Sequence, residues 1–342
     1  MNPQIEEVKD RSLWEEFIKG IPHTPFLQSF AWGEFQSEIG SKTYRFGFFD
    51  KNNLVGLSSV FQITSKFSSY LYVPWGPRLK TWSEDLLKEF LETLLSTANR
   101  EKLDFIRLEP RNFSEEQAKA LSNAGFRKTH SLTQPQCTSI IDLSKSEDEL
   151  LLEMSDSTRY NVRMVERKGV KVRIGGSKDL DSFEKLLKET ASRHGFSTDI
   201  HPGYYKKQYE ILNRSKLMEI FVAELNNEPL ATALVIFYGD TITYLHAAST
   251  RSQSKLRAPY LLAWGSILEG KKRGFKYFDF WGVAGENASA NHPWAGVTSF
   301  KMSFGGERVC YSPVFDLPTS NRYLLAKFIE VARKPVKKIL RI

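Results

Sequence analysis

The chain spells out one structural unit twice. From Tyr44 it reads YRFGFFDKNNLVGLSSVFQI, then SSYLYVPWGPRL, the helical EDLLKEFLETLLSTANREKL and DFIRLEP. From Met218 it reads MEIFVAELNNEPLATALVIFYGDTITYLHAAST, then APYLLAWGSILEGKKRGF and KYFDFWG. Each copy has the order strand, tight turn, strand, strand, helix, strand. Two unrelated α/β stretches can share so common an order, but a shared unit of this length points to internal duplication and two similar domains. A chain of 342 residues exceeds one average domain, and 41% hydrophobic residues with 24 Phe supply two cores, which excludes a disordered chain. The domain change is expected near Ser144 and a return near Pro313. Residues 1–144 with 313–342 then form the first domain and 145–312 the second.

Local signals are clear in the first copy. Asn52–Asn53 suits a hairpin turn, because Asn tolerates positive φ. Leu86, Leu87, Phe90, Leu91, Leu94 and Leu95 mark one face of a helix over Glu84 to Arg100. In SEEQAKALSNAGF, Ser114 is placed as an N-cap and Gly125 as a stop.

Several chemistries are set aside by what the sequence lacks. Its two cysteines, Cys137 and Cys310, form no CxxC pair and lie far apart, so neither a zinc site nor a disulfide framework is expected. The six histidines show no metal spacing, and no GxSxG, Walker loop or HExxH occurs. The N-terminus lacks a charged-then-apolar signal pattern, and no apolar run reaches bilayer length. The expectation is a cytoplasmic protein. A net charge of +8 fits an anionic partner such as RNA, a diphosphate or an acidic lipid surface. The tail VARKPVKKILRI suits either an anionic membrane or a last helix with a solvated basic face.

Four groups of residues are candidates for chemistry. In FKMSFGG, Lys301 lies between Phe300 and Phe304, and apolar neighbours strengthen the pull of an ammonium on an anion. Arg159, Arg163 and Arg167 recur every four residues and share a helix face, suited to phosphates or to solvent and Glu166. Glu109 ends a strand, where a carboxylate can take a proton, hold an amine, or pair with Arg107 or Arg111. Alternation places Tyr244 and His246 on one side of a strand, and Tyr204 and Tyr205 add polar aromatics, residues that otherwise serve packing.

The strand-strand-helix-strand unit looks like the GNAT acyltransferase fold. However, RSQSKLRAPY and GPRLKTWSED lack the glycines that let backbone N–H groups converge on the pyrophosphate of coenzyme A. Taken together, LQSFAWGEF, YVPWGPRL, IRLEPR, TRYNVRMVERKGVKV, YLHAASTRSQSKLRAPYLLAWGSILEG and SFKMSFGGE resemble the FemABX family of non-ribosomal peptidyltransferases nearly end to end, without the coiled-coil arm of some members. The resemblance implies an α/β fold of two tandem GNAT-like domains with mixed sheets and a cleft between them, the first binding the acceptor and the second the donor. It implies aminoacyl-tRNA as donor, the amine of a UDP-linked or lipid-linked peptidoglycan precursor as acceptor, no cofactor or metal, and a monomer in the cytoplasm or at the inner membrane face.

Residue by residue, Lys301 matches the lysine implicated at the family's reaction centre, with Phe300 fixing it. Glu109 matches an acidic position that is usually Asp, and the extra methylene changes its reach. Tyr244 and Tyr205 match acceptor-contacting tyrosines, and Trp75 of YVPWGPRL joins that set. A basic acceptor-contacting position appears here as Gln36, and an Arg appears as His201. Both changes weaken diphosphate contacts, for which Arg193 is the candidate to compensate. Arg159 and Arg163, with Lys301, are the expected tRNA contacts. Two rival readings are a GNAT-like acyltransferase with another donor or acceptor, and a non-catalytic glycolipid- or RNA-binding homologue.

Overall fold

The computed structural model describes residues 4–194 and 203–333. They form two compact units, one ending at Leu132 and resuming at Tyr311, the other spanning Thr133–Cys310. The first unit's sheet contains β1 (Gln4–Glu7), β2 (Lys42–Asp50), β3 (Asn53–Thr64), β4 (Ser69–Pro74), the short β5 (Arg78–Leu79), β6 (Phe105–Glu109), β7 (Arg127–Thr129) and β15 (Val314–Pro318). Their order is β1-β2-β3-β4-β6-β15-β7, with β5 beside β3. The second sheet contains β8 (Cys137–Asp142), β9 (Lys171–Ile174), β10 (Met218–Leu225), β11 (Glu228–Tyr238), β12 (Thr241–Ser249), β13 (Tyr277–Val283) and β14 (Glu307–Cys310). Its order, β9-β10-β11-β12-β13-β8-β14, matches the first strand for strand. In both sheets the third and fourth strands of the repeat, β4 with β6 and β12 with β13, are parallel, and the remaining neighbours are antiparallel. A parallel step needs a crossover. It is supplied by α3 (Glu84–Arg100) in one unit and α9 (Ala258–Lys272) in the other.

The first unit also carries α1 (Arg11–Lys19), α2 (Phe30–Glu38), α4 (Glu115–Asn123) and α11 (Arg322–Arg333). The second carries α5 (Glu147–Glu153), α6 (Asp156–Arg167), α7 (Leu180–His194), α8 (Tyr204–Arg214) and α10 (Ala295–Met302). Helix α3 buries the face read from its periodicity, Leu86, Leu87, Phe90, Leu91 and Leu94, against Phe46, Phe48, Ile106 and Phe315. Ser83 caps it by accepting from the Leu86 amide. Ser114 caps α4 in a reciprocal box with Gln117, and Gly125 follows at φ +90°. Helix α9 buries residues around most of its circumference, among them Leu261, Leu262, Ala263, Trp264, Ser266 and Ile267, as a helix enclosed by its unit must.

The first expected boundary moves. The strand TSIIDL, placed in the first domain by a change near Ser144, is β8, and it pairs with β13 and β14 in the second sheet. The return comes at Tyr311, two residues before Pro313. The segment VCYSPVFDL is two strands rather than one: β14 closes the second sheet and β15 lies inside the first. Local propensity shows that a segment is extended but not which sheet it joins.

The cysteines also depart from expectation. Cys137 and Cys310 face each other across the β8–β14 pair, with Cα atoms 4.0 Å apart, and are joined as a disulfide. Their separation of 173 residues hid the pairing, because strand register alone brings them together.

Candidate active site

In the second unit the site is built where β13 ends. Asp279 is 1% exposed. It accepts a short hydrogen bond from the Thr138 hydroxyl and one of 2.7 Å from the Trp281 amide. Between Asp279 and Gly282 the β13–β8 register shifts, with Asp279 opposite Ile140 and Gly282 opposite Thr138. Three steps on one strand meet two on the other, which is a bulge. Trp281 within it has φ +60°, a left-handed conformation rare for a bulky residue. Strain of this kind persists where surrounding contacts impose it, and it clusters at working sites.

The bulge presents the Gly282 carbonyl to Lys301, whose Nζ donates to it at 2.9 Å. Lys301 lies in the last turn of α10, just before the glycines of FKMSFGG. That end of a helix favours a cation. The Ala284 amide donates to the buried Thr298 hydroxyl at 2.8 Å, tying α10 to the strand. Phe300 packs on Tyr260, Phe304 and Phe280 at 5.1, 5.3 and 6.5 Å between centroids. Burial among these groups pushes the Lys301 ammonium down to about 8, against a smaller upward pull from Asp279.

The glycines of FKMSFGG have a packing reason. Gly305 has φ +90°, and a Cβ there would lie 2.6 Å from the Glu153 Cβ and 2.7 Å from the Glu153 carbonyl oxygen. Gly305→Ala is expected to cost about 2 kcal/mol or more of stability, readable in denaturant titration. A change below about 0.5 kcal/mol would show that the loop relaxes freely.

The same segment anchors the arginine helix. The Ser155 amide donates to the Ser303 carbonyl at 2.9 Å, and the Thr158 hydroxyl to the Ser303 hydroxyl at 2.7 Å. Arg159, the next residue, is held inward by the Leu151 and Leu152 carbonyls at 3.0 and 3.3 Å and by Asp156. Arg163 and Arg167 are exposed. The three therefore do not present one uniform face.

Tyr244 and His246 are not on one side of the sheet. The β11–β12 register shifts so that Val235 opposes Tyr244 while Leu234 opposes His246. This bulge reverses the expected alternation. Tyr244 joins the α9 core, 6.0 Å from Phe278 and 5.8 Å from Phe280. Its hydroxyl has no hydrogen-bond partner among the described residues, and burial raises its pKa. Phe280 thus touches both Tyr244 and Phe300.

His246 lies instead against Tyr205 and Phe183, at 5.1 and 6.5 Å. Its Nε2 pairs with Gln208 Oε1 at 3.1 Å, and burial lowers its pKa to about 3, so the ring is neutral. Burial, with a smaller effect from Glu184, pushes the Tyr205 phenol up to about 12. Arg193 is a strut in the structure. Its guanidinium donates to the carbonyls of Ser249 and Thr250 at 3.1 and 3.3 Å and to the hydroxyls of Ser249 and Thr190, both at 3.2 Å. His201 lies outside the described residues.

The first unit holds the other candidates. Glu109, 3% exposed at the end of β6, accepts from the Tyr72 hydroxyl at 2.5 Å. Its carbonyl accepts from the Trp75 amide at 2.6 Å. Trp75 is buried at φ +53°, with its ring 4.9 Å from both the Tyr311 ring and the Arg111 guanidinium. Gln36, half-buried on α2, accepts from Ser41 at 3.4 Å. One turn earlier, Gly33 makes room for Arg45, which lies 3.9 Å over the Phe30 ring; a Cβ at Gly33 would fall 2.7 Å from that guanidinium. Burial lowers the Arg45 pKa. Arg45 is a cation of this face, with Arg11 5.6 Å from the same ring, and it was missed because it arrives from a strand. Asp279 was missed as well. Its one sequence signal is an acid inside the apolar run KYFDFWG. Among the described residues, no three His, Cys, Asp or Glu side chains are grouped to hold a metal ion.

A model of the FemAB family matches residues 10–228 and 213–334. The chain belongs to the FemAB family. Among relatives, this FemAB chain is 26% identical over 229 residues to the lipid II:glycine glycyltransferase of Staphylococcus epidermidis, covering 63% of the chain and 55% of the relative. It thus spans little more than half the length of that enzyme. It is 23% identical over 287 residues to the UDP-N-acetylmuramoylpentapeptide-lysine N(6)-alanyltransferase of Weissella viridescens, covering 80% of the chain and 84% of the relative. The crystal structure of FemX superposes with a TM-score of 0.84 at 18% identity, over 96% of this chain and 100% of that one. A tandem GNAT protein from the clavulanic acid pathway gives 0.56 at 8% identity, over 93% and 99%. These two likenesses establish that the FemAB chain has a tandem GNAT fold.

Proposed function

We propose that the chain is an aminoacyltransferase that moves an amino acid from aminoacyl-tRNA to an amine of a peptidoglycan-precursor stem peptide. The observation that carries this reading is the Lys301 ammonium, partly desolvated among aromatic rings and positioned by the Gly282 carbonyl. The relatives named as glycyl- and alanyltransferases support the same chemistry. In the reaction, the acceptor nitrogen attacks the ester carbonyl carbon, the bond to the ribose oxygen breaks, and the amine proton leaves as the ribose hydroxyl is restored. An ester is already activated relative to an amide, so the protein's task is placement and stabilisation of the oxyanion.

Lys301 serves as donor to that oxyanion or to the terminal phosphate of the tRNA, with Phe300 holding its helix in place. Glu109 is the candidate base. Tyr244, Tyr205, Trp75 and Gln36 are candidate acceptor contacts, with Arg45 supplying a nearby cation and His201 retained from the sequence. Arg193 acts by positioning the end of β12. Arg163, exposed on α6, is the better placed of the two candidate tRNA arginines, since Arg159 is engaged by its own unit. The protein works as a monomer on the cytoplasmic face of the membrane.

The test is a purified reaction with a charged tRNA pool and candidate muropeptides, read by mass spectrometry for an added residue. Product with acyl-CoA but none with aminoacyl-tRNA would replace this donor. Affinity for tRNA should fall linearly in log–log plots against salt, because phosphate contacts release counterions. Arg163→Ala should reduce that slope by about 0.7–0.9. A salt-independent affinity would remove the phosphate role.

A further inference from the structure

Helix α11 is built inside out. Its charged residues Lys327 and Glu330 face the first unit, where Lys327 donates to Thr129 and Ser131 at 2.6 Å each, and Glu330 receives Arg107 at 3.0 and 3.2 Å. Tyr323 and Ala326 complete that inner face, 8% and 7% exposed. The outer face is apolar: Leu324, Leu325 and Phe328 are 72%, 54% and 73% exposed, and Ala332 continues it one turn on. An exposed patch of large apolar side chains on a firmly anchored helix marks an interaction site.

We propose that this outer face docks on an anionic lipid bilayer, with α11 lying in the interface plane. Charge complementarity selects the occupant. Arg322 opens the helix, 3.7 Å from the buried Asp104 yet with its side chain 65% exposed, so it adds only part of a charge to this face. The sequence after the helix, Lys334 to Ile342, has three Lys, one Arg and no acid, interleaved with Val336, Ile339, Leu340 and Ile342. Apolar residues beside cations are the composition that binds acidic headgroups and acyl chains together. A second copy of this chain would bring the same cations against one another, which disfavours self-association. With 12 residues, α11 is about 18 Å long, too short to span a bilayer but sufficient to lie on one. The buried ion pairs fix which face turns outward, so the surface is presented before any lipid is met. This surface goes beyond the catalytic reading and stands whether or not tRNA is the donor.

The experiment is co-sedimentation of the full chain with vesicles of phosphatidylcholine alone or mixed with phosphatidylglycerol. Binding is expected on the anionic vesicles, weakening as salt rises. The triple variant Leu324→Ser, Leu325→Ser, Phe328→Ser should bind about tenfold or more weakly. Phe328→Trp gives a second reading that needs no loss of side chains, since its fluorescence should shift to the blue on adding anionic vesicles. Equal binding to both vesicle types, unchanged binding by the triple variant, or an unshifted Trp spectrum overturns the proposal. So does a concentration-dependent dimer that the triple variant abolishes, because that outcome assigns the face to a second copy.

Discussion

Replacing Lys301 with methionine is expected to lower turnover by about 10²-fold or more, the scale of losing one oxyanion donor. The fold should be at least as stable as before. Methionine fills a similar volume, and it removes an ammonium whose burial is unfavourable. The pH dependence separates these effects. Below about 8 Lys301 is charged and able to donate, so the ratio of wild-type to variant rate should be highest there and decline as pH rises through that value. Stability follows from the same lowered pKa. Below about 8 both folded and unfolded chains hold the proton, and the burial penalty is fully present. From there to the ordinary lysine value the unfolded chain binds more protons, so the wild type gains on the variant. Unchanged turnover in Lys301→Met would remove this lysine from the chemistry, whatever the thermal scan showed.

The second large effect is expected at Arg107. This side chain is 3% exposed and bridges two carboxylates, Asp316 at 2.8 and 2.9 Å and Glu330 at 3.0 and 3.2 Å. Arg107→Ala should destabilise the first unit by about 3–5 kcal/mol, since it removes the two-pronged partner of the buried Asp316 and leaves Asp316 and the half-buried Glu330 to share Lys327. Hydrogen exchange should show α11 opening first. Burial disfavours the charged form of Glu330, but Arg107 outweighs it with help from Lys327, and the pKa falls to about 2. The folded value is depressed, so this contribution is present above about 4.5 and is lost as pH falls towards 2. In the variant, acid sensitivity across that window should flatten. A loss under 1 kcal/mol would mean that α11 is held by packing alone, with the ion pairs incidental.

These cases show what the sequence could and could not express. The α3 face and the Ser114 cap are local, fixed by residues a few positions apart, and the structure reproduces them. The twofold pattern also survives, because each copy encodes its own strand order. What fails depends on register. One bulge beside Leu234 sends Tyr244 and His246 to opposite faces, and nothing in ITYLHAAS announces it. Another bulge places Gly282 under Lys301, while FKMSFGG signals the lysine but not its partner. Arg193 looked like a substrate cation because composition shows charge and not engagement; its partners are backbone carbonyls distant in sequence. Cys137 and Cys310 belong to the same class, visible as residues and invisible as neighbours.

The route of the chain has a consequence of its own. Strands β7 and β15 are antiparallel neighbours in the first sheet, yet the whole second unit lies between them in sequence. That unit begins and ends beside one residue pair, Cys137 and Cys310, with Cα atoms 4.0 Å apart. It is a cassette spliced into a hairpin, and its close ends are what allow a host to tolerate such a guest. No single cut liberates the host: a fragment stopping at Leu132 lacks β15, and with it the Asp316 that neutralises Arg107.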